Sequence, residues 1–349
     1  MLNEKIDLNR YQVRTDLALE RHQLAAKQHG KEIPGVDFIE RKYEDITMTR
    51  MAITSDEGSE LLNKPQGNYL TFDAPNLKRH DVKIQDKLIN IFADEFKKYL
   101  QDLKISKEAR VLIIGLGNWN VSPDALGPMV VENLLITRHL FELMPEKVND
   151  GIRSVSAIAP GVLGITGIET SEIVLGITEK SKPDLVIAID ALASRSLERV
   201  YSTIQIADTG IHPGSGIGNK RKALDKKSLG VPVIAIGVPT VVDAVSITSD
   251  TIDYILKHIE NHIDIRNPFD NPSKDANHPQ KVMGLIGTLN GQEKRQLIHE
   301  VLSPMGYNLI VTPKEVDTFM EDIANIIASG LNMALHDEVN QDNVSTYTH

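Results

Sequence analysis

Residues 111–130 read VLIIGLGNWNVSPDALGPMV, and this stretch decides the fold. Val111 to Gly115 is a short apolar run with no polar alternation. Such a run reads as a strand covered on both faces, the habit of parallel sheets. Two glycines, Gly115 and Gly117, open a polar turn, and a helix is expected from about Ala125. Strand, glycine loop and helix together resemble a phosphate cradle. Yet Asp124 sits where a phosphate needs positive charge.

The same texture extends outward. The runs at 154–160 (SVSAIAP), 184–190 (DLVIAID) and 232–237 (PVIAIG) read as further strands, with helices near 169–178 and 250–263. This alternation predicts an α/β fold: a three-layer, twisted, mainly parallel sheet flanked by helices. Toward the N-terminus, a helix over 17–29 groups Leu17, Leu24 and Ala25. Strand signals follow at 36–43, 46–54 and 68–75, where Leu70, Phe72 and Ala74 alternate with polar residues. They predict an additional small β-containing region over about 30–80. Ile84, Leu88, Ile91, Phe92, Phe96 and Tyr99 then recur at helical spacing. Near the C-terminus a strand over 307–312 leads to a helix for which Thr312, Pro313 and Glu315 suit N-cap, N1 and N3. Residues 337–349 lack an apolar pattern and read as a mobile tail. No internal repeat is visible, and residues 17–349 are expected to form a single catalytic domain.

Composition narrows the functions. A net charge of −10 argues against direct nucleic-acid binding, which needs a cationic face. With no cysteine, disulfides, thiolate zinc sites and a cysteine nucleophile are excluded. No apolar run approaches the roughly 20 residues of a membrane span, and the polar N-terminus lacks a signal-peptide core. A cytoplasmic protein is expected.

Familiar motifs fit poorly. GLGNWN begins like a dinucleotide fingerprint but has Asn120 where the third glycine belongs. The segment from Gly214 through Gly216 to Lys222, GSGIGNKRK, resembles a P-loop with Asn219 in place of its second glycine; a flexible basic loop or an anion- or substrate-holding loop explains it equally. His258 and His262 stand four apart, but Ile259 replaces the glutamate a zincin needs. Two aspartates remain. Asp124 follows the first strand, and Asp190 ends the apolar run of another. Sites in open α/β sheets form at the carboxyl ends of strands. Two carboxylates meeting there would share a proton and supply an acid and a base. Each also has a local use: Asp124 could cap a helix and Asp190 a turn.

Several long strings resemble the germination protease family of spore-forming bacteria: YQVRTDLALE (11–20), GLGNWNVSPDALGP (115–128), APGVLGITGIET (159–170), LVIAIDALASR (185–195), DTGIHPGSGIGNKRK (208–222) and GVPTVVDA (237–244). The resemblance implies a fold like that of hydrogenase-maturation endopeptidases and an endopeptidase acting on small acid-soluble spore proteins. It also implies a homotetramer of the forespore and spore core, with no cofactor. It assigns catalysis to Asp124 and Asp190, with no metal. The related maturation enzymes bind metal through carboxylates and a histidine, and no equivalent of that histidine stands out here. A metal-dependent peptidase using the same carboxylates is the enzyme alternative; a nucleotide- or anion-binding module is the non-enzyme one.

The family is made as a zymogen that trims its own N-terminus. Thr15-Asp16-Leu17-Ala18 matches the pattern of an acidic residue, a large apolar residue and alanine, so residues 1–16 read as a propeptide cut between Asp16 and Leu17, and the sequence as the precursor form. Thr15 could instead cap a helix, although Ala18 cannot complete the capping box. Glycine N–H groups of Gly115, Gly117, Gly214 and Gly216 are candidates for a substrate or oxyanion loop.

Overall fold

The computed structural model describes residues 14–30, 32–211, 222–266, 289–302 and 309–346. Its described strands are β1 (Val36–Tyr43), β2 (Ile46–Ile53), β3 (Gly67–Asp73), β4 (Val111–Gly115), β5 (Val155–Ile158), β6 (Leu185–Ser194), β7 (Thr203–Ala207), β8 (Val233–Asp243) and β9 (Ile310–Val311). Their order in the sheet is β1-β2-β3-β7-β8-β6-β4-β5, and β9 pairs with the last two residues of β8. The protein is α/β, with an open mixed sheet flanked by helices, as expected. β5, β4 and β6 run parallel, with Val111 level with both Val155 and Leu185. β1, β2, β3, β7 and β8 are antiparallel neighbours. The small β region expected over 30–80 is thus continuous with the main sheet, because β3 pairs with β7 from Tyr69–Ala207 to Asp73–Thr203.

The chain divides into two compact units, a boundary not expected from the sequence. One contains residues 15–194, 198–241 and 312–349; the other contains 1–14, 195–197 and 242–311. In the larger unit, the helix Val82–Asp102 buries Leu88, Phe92, Phe96 and Tyr99, the stripe its periodicity predicts. It packs on the helix Val316–Leu335. Their approach is close: a Cβ on Gly330 would lie 2.4 Å from the Phe92 ring. The short helix Leu126–Glu132 packs against β4, β6 and Val316–Leu335. A second apolar cluster joins Leu112, Ile114 and Leu116, Val186, Ala188 and Leu192 of β6, Val174 of the helix Thr170–Ser181, and Leu17.

Two local expectations change. The helix predicted to begin at Thr312 starts at Val316 with Glu315 as N-cap. The Thr312 hydroxyl donates instead to the Thr240 carbonyl (2.9 Å) and lies 3.1 Å from the Tyr201 hydroxyl. A strand-to-strand tie has taken the group a cap would use. The tail expected to be mobile is seated through residue 346: Val339 and Val344 are buried, and the Asp337 amide donates to the Gly151 carbonyl. Two apolar residues five apart are too sparse to show as a pattern.

Candidate active site

The β4 loop owes its shape to backbone contact. A Cβ on Gly115 would lie 2.2 Å from the Gly127 carbonyl oxygen, and one on Gly127 would lie 2.2 Å from the Leu116 oxygen. Strand end and helix start therefore touch directly. Gly117 has φ +119°, and a Cβ there would lie 1.9 Å from the Asp124 carbonyl oxygen. That carbonyl accepts the Asn118 amide at 2.9 Å and closes the loop on itself. Gly115 and Gly117 thus have a structural use that the sequence reading, with its oxyanion loop, did not foresee. Gly214 and Gly216 lie outside the described residues.

Asp124 ends a 3₁₀ turn, Ser122–Asp124, that packs against β6. The turn is tied to β8 as well, because the Thr240 hydroxyl donates to the Pro123 carbonyl at 2.6 Å. Asp124 is half-buried. It does not cap the following helix, whose N-cap is Ala125 and makes no side-chain cap bond. Asp190 is buried, at 6% exposure. β6 continues four residues beyond it, so no turn follows for it to cap. It is nevertheless the first residue past the β4–β6 ladder, which ends at Gly115 level with Ile189. Its Oδ1 accepts the Ala191 amide at 3.0 Å. By strand alternation Asp190 shares a face with Val186, Ala188 and Leu192, the face that also buries Leu17.

Asp16 and Leu17 are held tightly. The Asp16 amide donates to the Ala193 carbonyl and its Oδ2 accepts the Ala193 amide, both at 2.9 Å. The Asp16 carbonyl accepts from Lys64 Nζ at 2.7 Å and from Gln205 Nε2 at 3.3 Å. Gln205 Oε1 in turn accepts the Ala18 amide at 2.6 Å, so one side chain grips both sides of Leu17. Leu17 and Ala18 are fully buried. Burial pushes the Lys64 ammonium below its usual range, partly offset by the nearby Asp16 charge. The helix begins at Ala18 with Leu17 as N-cap; Thr15 accepts the Leu17 amide and donates to Glu20 rather than capping. Lys64 and Gln205 were missed by sequence reasoning. Gln205 carries one faint signal, a polar residue inside the apolar strand Thr203–Ala207.

Among the described residues, no three His, Asp or Glu side chains cluster in an arrangement that would hold a metal ion. His258 is exposed on the helix Ala244–Arg266. No helix among the described residues is long and apolar enough to cross a membrane.

The germination protease family model matches residues 13–348. The chain belongs to the germination protease family. It is 56% identical to the germination protease of Bacillus cereus (strain AH187) and 57% identical to that of Bacillus mycoides (strain KBAB4), with all of both chains covered in each case. A nickel–iron hydrogenase maturation protease from Thermococcus kodakarensis KOD1 aligns at 26% identity with a TM-score of 0.26, covering 38% of this chain and 74% of that one. Membership makes the chain a peptidase of spore germination, a hydrolase. The non-enzyme alternative, a nucleotide- or anion-binding module, is overturned by this finding.

Proposed function

We propose that the chain is an endopeptidase made as a precursor that removes its own residues 1–16, then starts the degradation of small acid-soluble spore proteins. Asp124 and Asp190 are its acid–base pair. The observation that carries this reading is their placement: Asp190 is the first residue past the β4–β6 ladder, and the turn bearing Asp124 follows β4 and packs against β6. One carboxylate takes a proton from the attacking water. Its protonated partner gives a proton to the departing amine, so the peptide bond and one water become a carboxylic acid and an amine. The loop has room for no side chain at Gly115, Gly117 or Gly127, so its backbone is closely packed where it carries Asp124.

The Asp16–Leu17 bond supports the self-processing part. Leu17 packs on the face of β6 that carries Asp190, and Asp16 pairs with the Ala193 main chain, three residues further along the strand, or about 10 Å by strand rise. The buried Leu17 and the grip by Lys64 and Gln205 describe a bond that is held, not one being cut. Processing therefore requires this junction to shift toward the aspartates. Spore-protein substrates are read by the same acidic-then-apolar pattern. The family resemblance alone supports the homotetramer and the forespore and spore-core location.

The test is hydrolysis of a peptide with Glu before the cut. Asp124→Asn and Asp190→Asn are each expected to lose about a hundredfold or more in rate while keeping the native fold by circular dichroism. A loss below about tenfold in either variant refutes an acid–base role of ordinary size.

A further inference from the structure

The carboxyl ends of the parallel strands hold the candidate active site. Their opposite ends hold a cavity of about 290 Å³. Glu108 lines it just before β4, and Ile152, Arg153 and Ser154 just before β5; Leu335 and Asp337 close it from the C-terminal segment. By strand rise, the five residues of β4 set this cavity about 17 Å from the loop that bears Asp124.

Arg153 is its unusual feature. It is 93% buried, being 7% exposed, and its Nε and Nη1 are shut off from solvent with no hydrogen-bond partner. Among the described ion pairs within 4 Å, none involves Arg153. The two carboxylates that line the cavity are engaged elsewhere. Asp337 bonds Lys107 at 2.9 Å, and Glu108 accepts the Ser106 hydroxyl at 2.6 Å. They act on Arg153 only through space and do not outweigh burial, which lowers its affinity for a proton. Beside it, His336 is fully buried, with Nδ1 accepting the Arg153 amide at 3.2 Å and Nε2 unpartnered. Burial, reinforced by the Arg153 charge, keeps that ring neutral, and a histidine supplies no negative counter-charge in either protonation state. The backbone is fixed from the other side, because the Thr137 hydroxyl donates to the Arg153 carbonyl.

A buried guanidinium without an anion is costly, by several kcal/mol in general. Its planar fork matches a carboxylate or a phosphate. The walls choose between them. Phe141, Leu100, Ile105 and Leu335 line the same cavity, and an inorganic ion would leave them uncovered. The volume equals roughly ten waters at their share of the liquid, room for a small ring with an acid group. The formal charge of the lining is +1, from Lys97, Lys107 and Arg153 against Glu108 and Asp337, which suits one carboxylate.

We propose that this cavity is a binding site for a small organic carboxylate, whose acid group pairs with the Nη2 end of Arg153, the guanidinium nitrogen not shut off from solvent, and whose apolar part lies against Phe141 and Leu335. The site is separate from the aspartates and does not depend on their role.

The experiment is isothermal titration calorimetry of the full chain with benzoate, and separately with inorganic phosphate, at constant ionic strength. Benzoate is expected to bind saturably with one site per chain, and about tenfold or more weakly in Arg153→Met. Arg153→Met removes a charge that has no partner, so without ligand it is expected to melt no lower than wild type. Phe141→Ala, which keeps the guanidinium, is expected to weaken benzoate as well. Absence of saturable benzoate binding to wild type at concentrations up to about 10 mM, the millimolar limit of useful affinity, overturns the proposal. So does equal benzoate binding to Arg153→Met, or binding of phosphate without benzoate.

Discussion

Replacing Gly115 by alanine adds one methyl group at the most crowded point of the β4 loop. The new Cβ would lie 2.2 Å from the Gly127 carbonyl oxygen and 2.5 Å from its carbon. Both are backbone atoms, so no rotamer change relieves the contact. Ordinary van der Waals separation requires the helix Leu126–Glu132 to move off β4 by about 1 Å. Overpacking of this kind costs about 1–3 kcal/mol. The catalytic effect is expected to be larger than the effect on stability. Asp124 sits between β4 and that helix, and a displacement of about 1 Å from the reacting geometry costs on the order of a hundredfold in rate. Gly127→Ala attacks the same contact from the other side, where a Cβ meets the Leu116 oxygen at 2.2 Å. The double variant should therefore lose less than the sum of the two, because both substitutions open one gap. Gly176→Ala is the control. It lies in the helix Thr170–Ser181 with no atom within 4 Å of an added Cβ, and is expected to be neutral or stabilising by up to about 1 kcal/mol. Urea denaturation and peptide hydrolysis read both effects. A Gly115→Ala protein with unchanged urea midpoint and activity within about twofold of wild type would refute the reasoning.

Other outcomes follow from the same geometry. His336 is buried and its pKa falls from 6.5 to about 4. The folded state thus keeps the ring neutral where the unfolded chain takes up a proton. Stability from this group is complete above about pH 6.5 and is lost as pH falls toward 4, by at most about 3 kcal/mol. Urea midpoints measured from pH 7 to 4.5 should fall less steeply in His336→Asn than in wild type, and parallel curves would contradict this. For the peptidase, activity on the glutamyl peptide is expected to survive exhaustive dialysis against a chelator. Loss on chelation with recovery on adding a divalent ion would favour the metal-dependent alternative.

Much of this architecture could be read from the sequence, and the reasons differ by element. β4, β6 and β8 are apolar on both faces, so their runs stand out without any knowledge of neighbours. The placement of Asp124 after β4 followed directly from those runs, whereas Asp190, expected at a strand end, lies inside β6, which runs on to Ser194 beyond the end of its ladder with β4. β7 escaped because Gln205 interrupts it and its apolar residues are only Ile204, Ile206 and Ala207. Without β7, nothing in the sequence joins β3 to the main sheet, since their register links residues 130 or more positions apart. The misplaced start of the helix Val316–Leu335 has a local cause: a valid cap signal at Thr312 lost to a bond with Thr240. Lys64 was illegible for a further reason. Its neighbours Asn63 and Pro65 mark an ordinary surface turn, and only the folded chain brings its ammonium to the Asp16 carbonyl.

The central claim is that the aspartate pair cuts the chain's own Asp16–Leu17 bond. Mass spectrometry of the full-length wild type and its Asp190→Asn variant, held in parallel under activating conditions, tests it most directly. A new N-terminus at Leu17 is expected in the wild type, at a first-order rate independent of protein concentration, and none in Asp190→Asn. Equal appearance of Leu17 in both would mean that another protease makes the cut. A wild type that gains activity with residues 1–16 still attached would contradict the account outright.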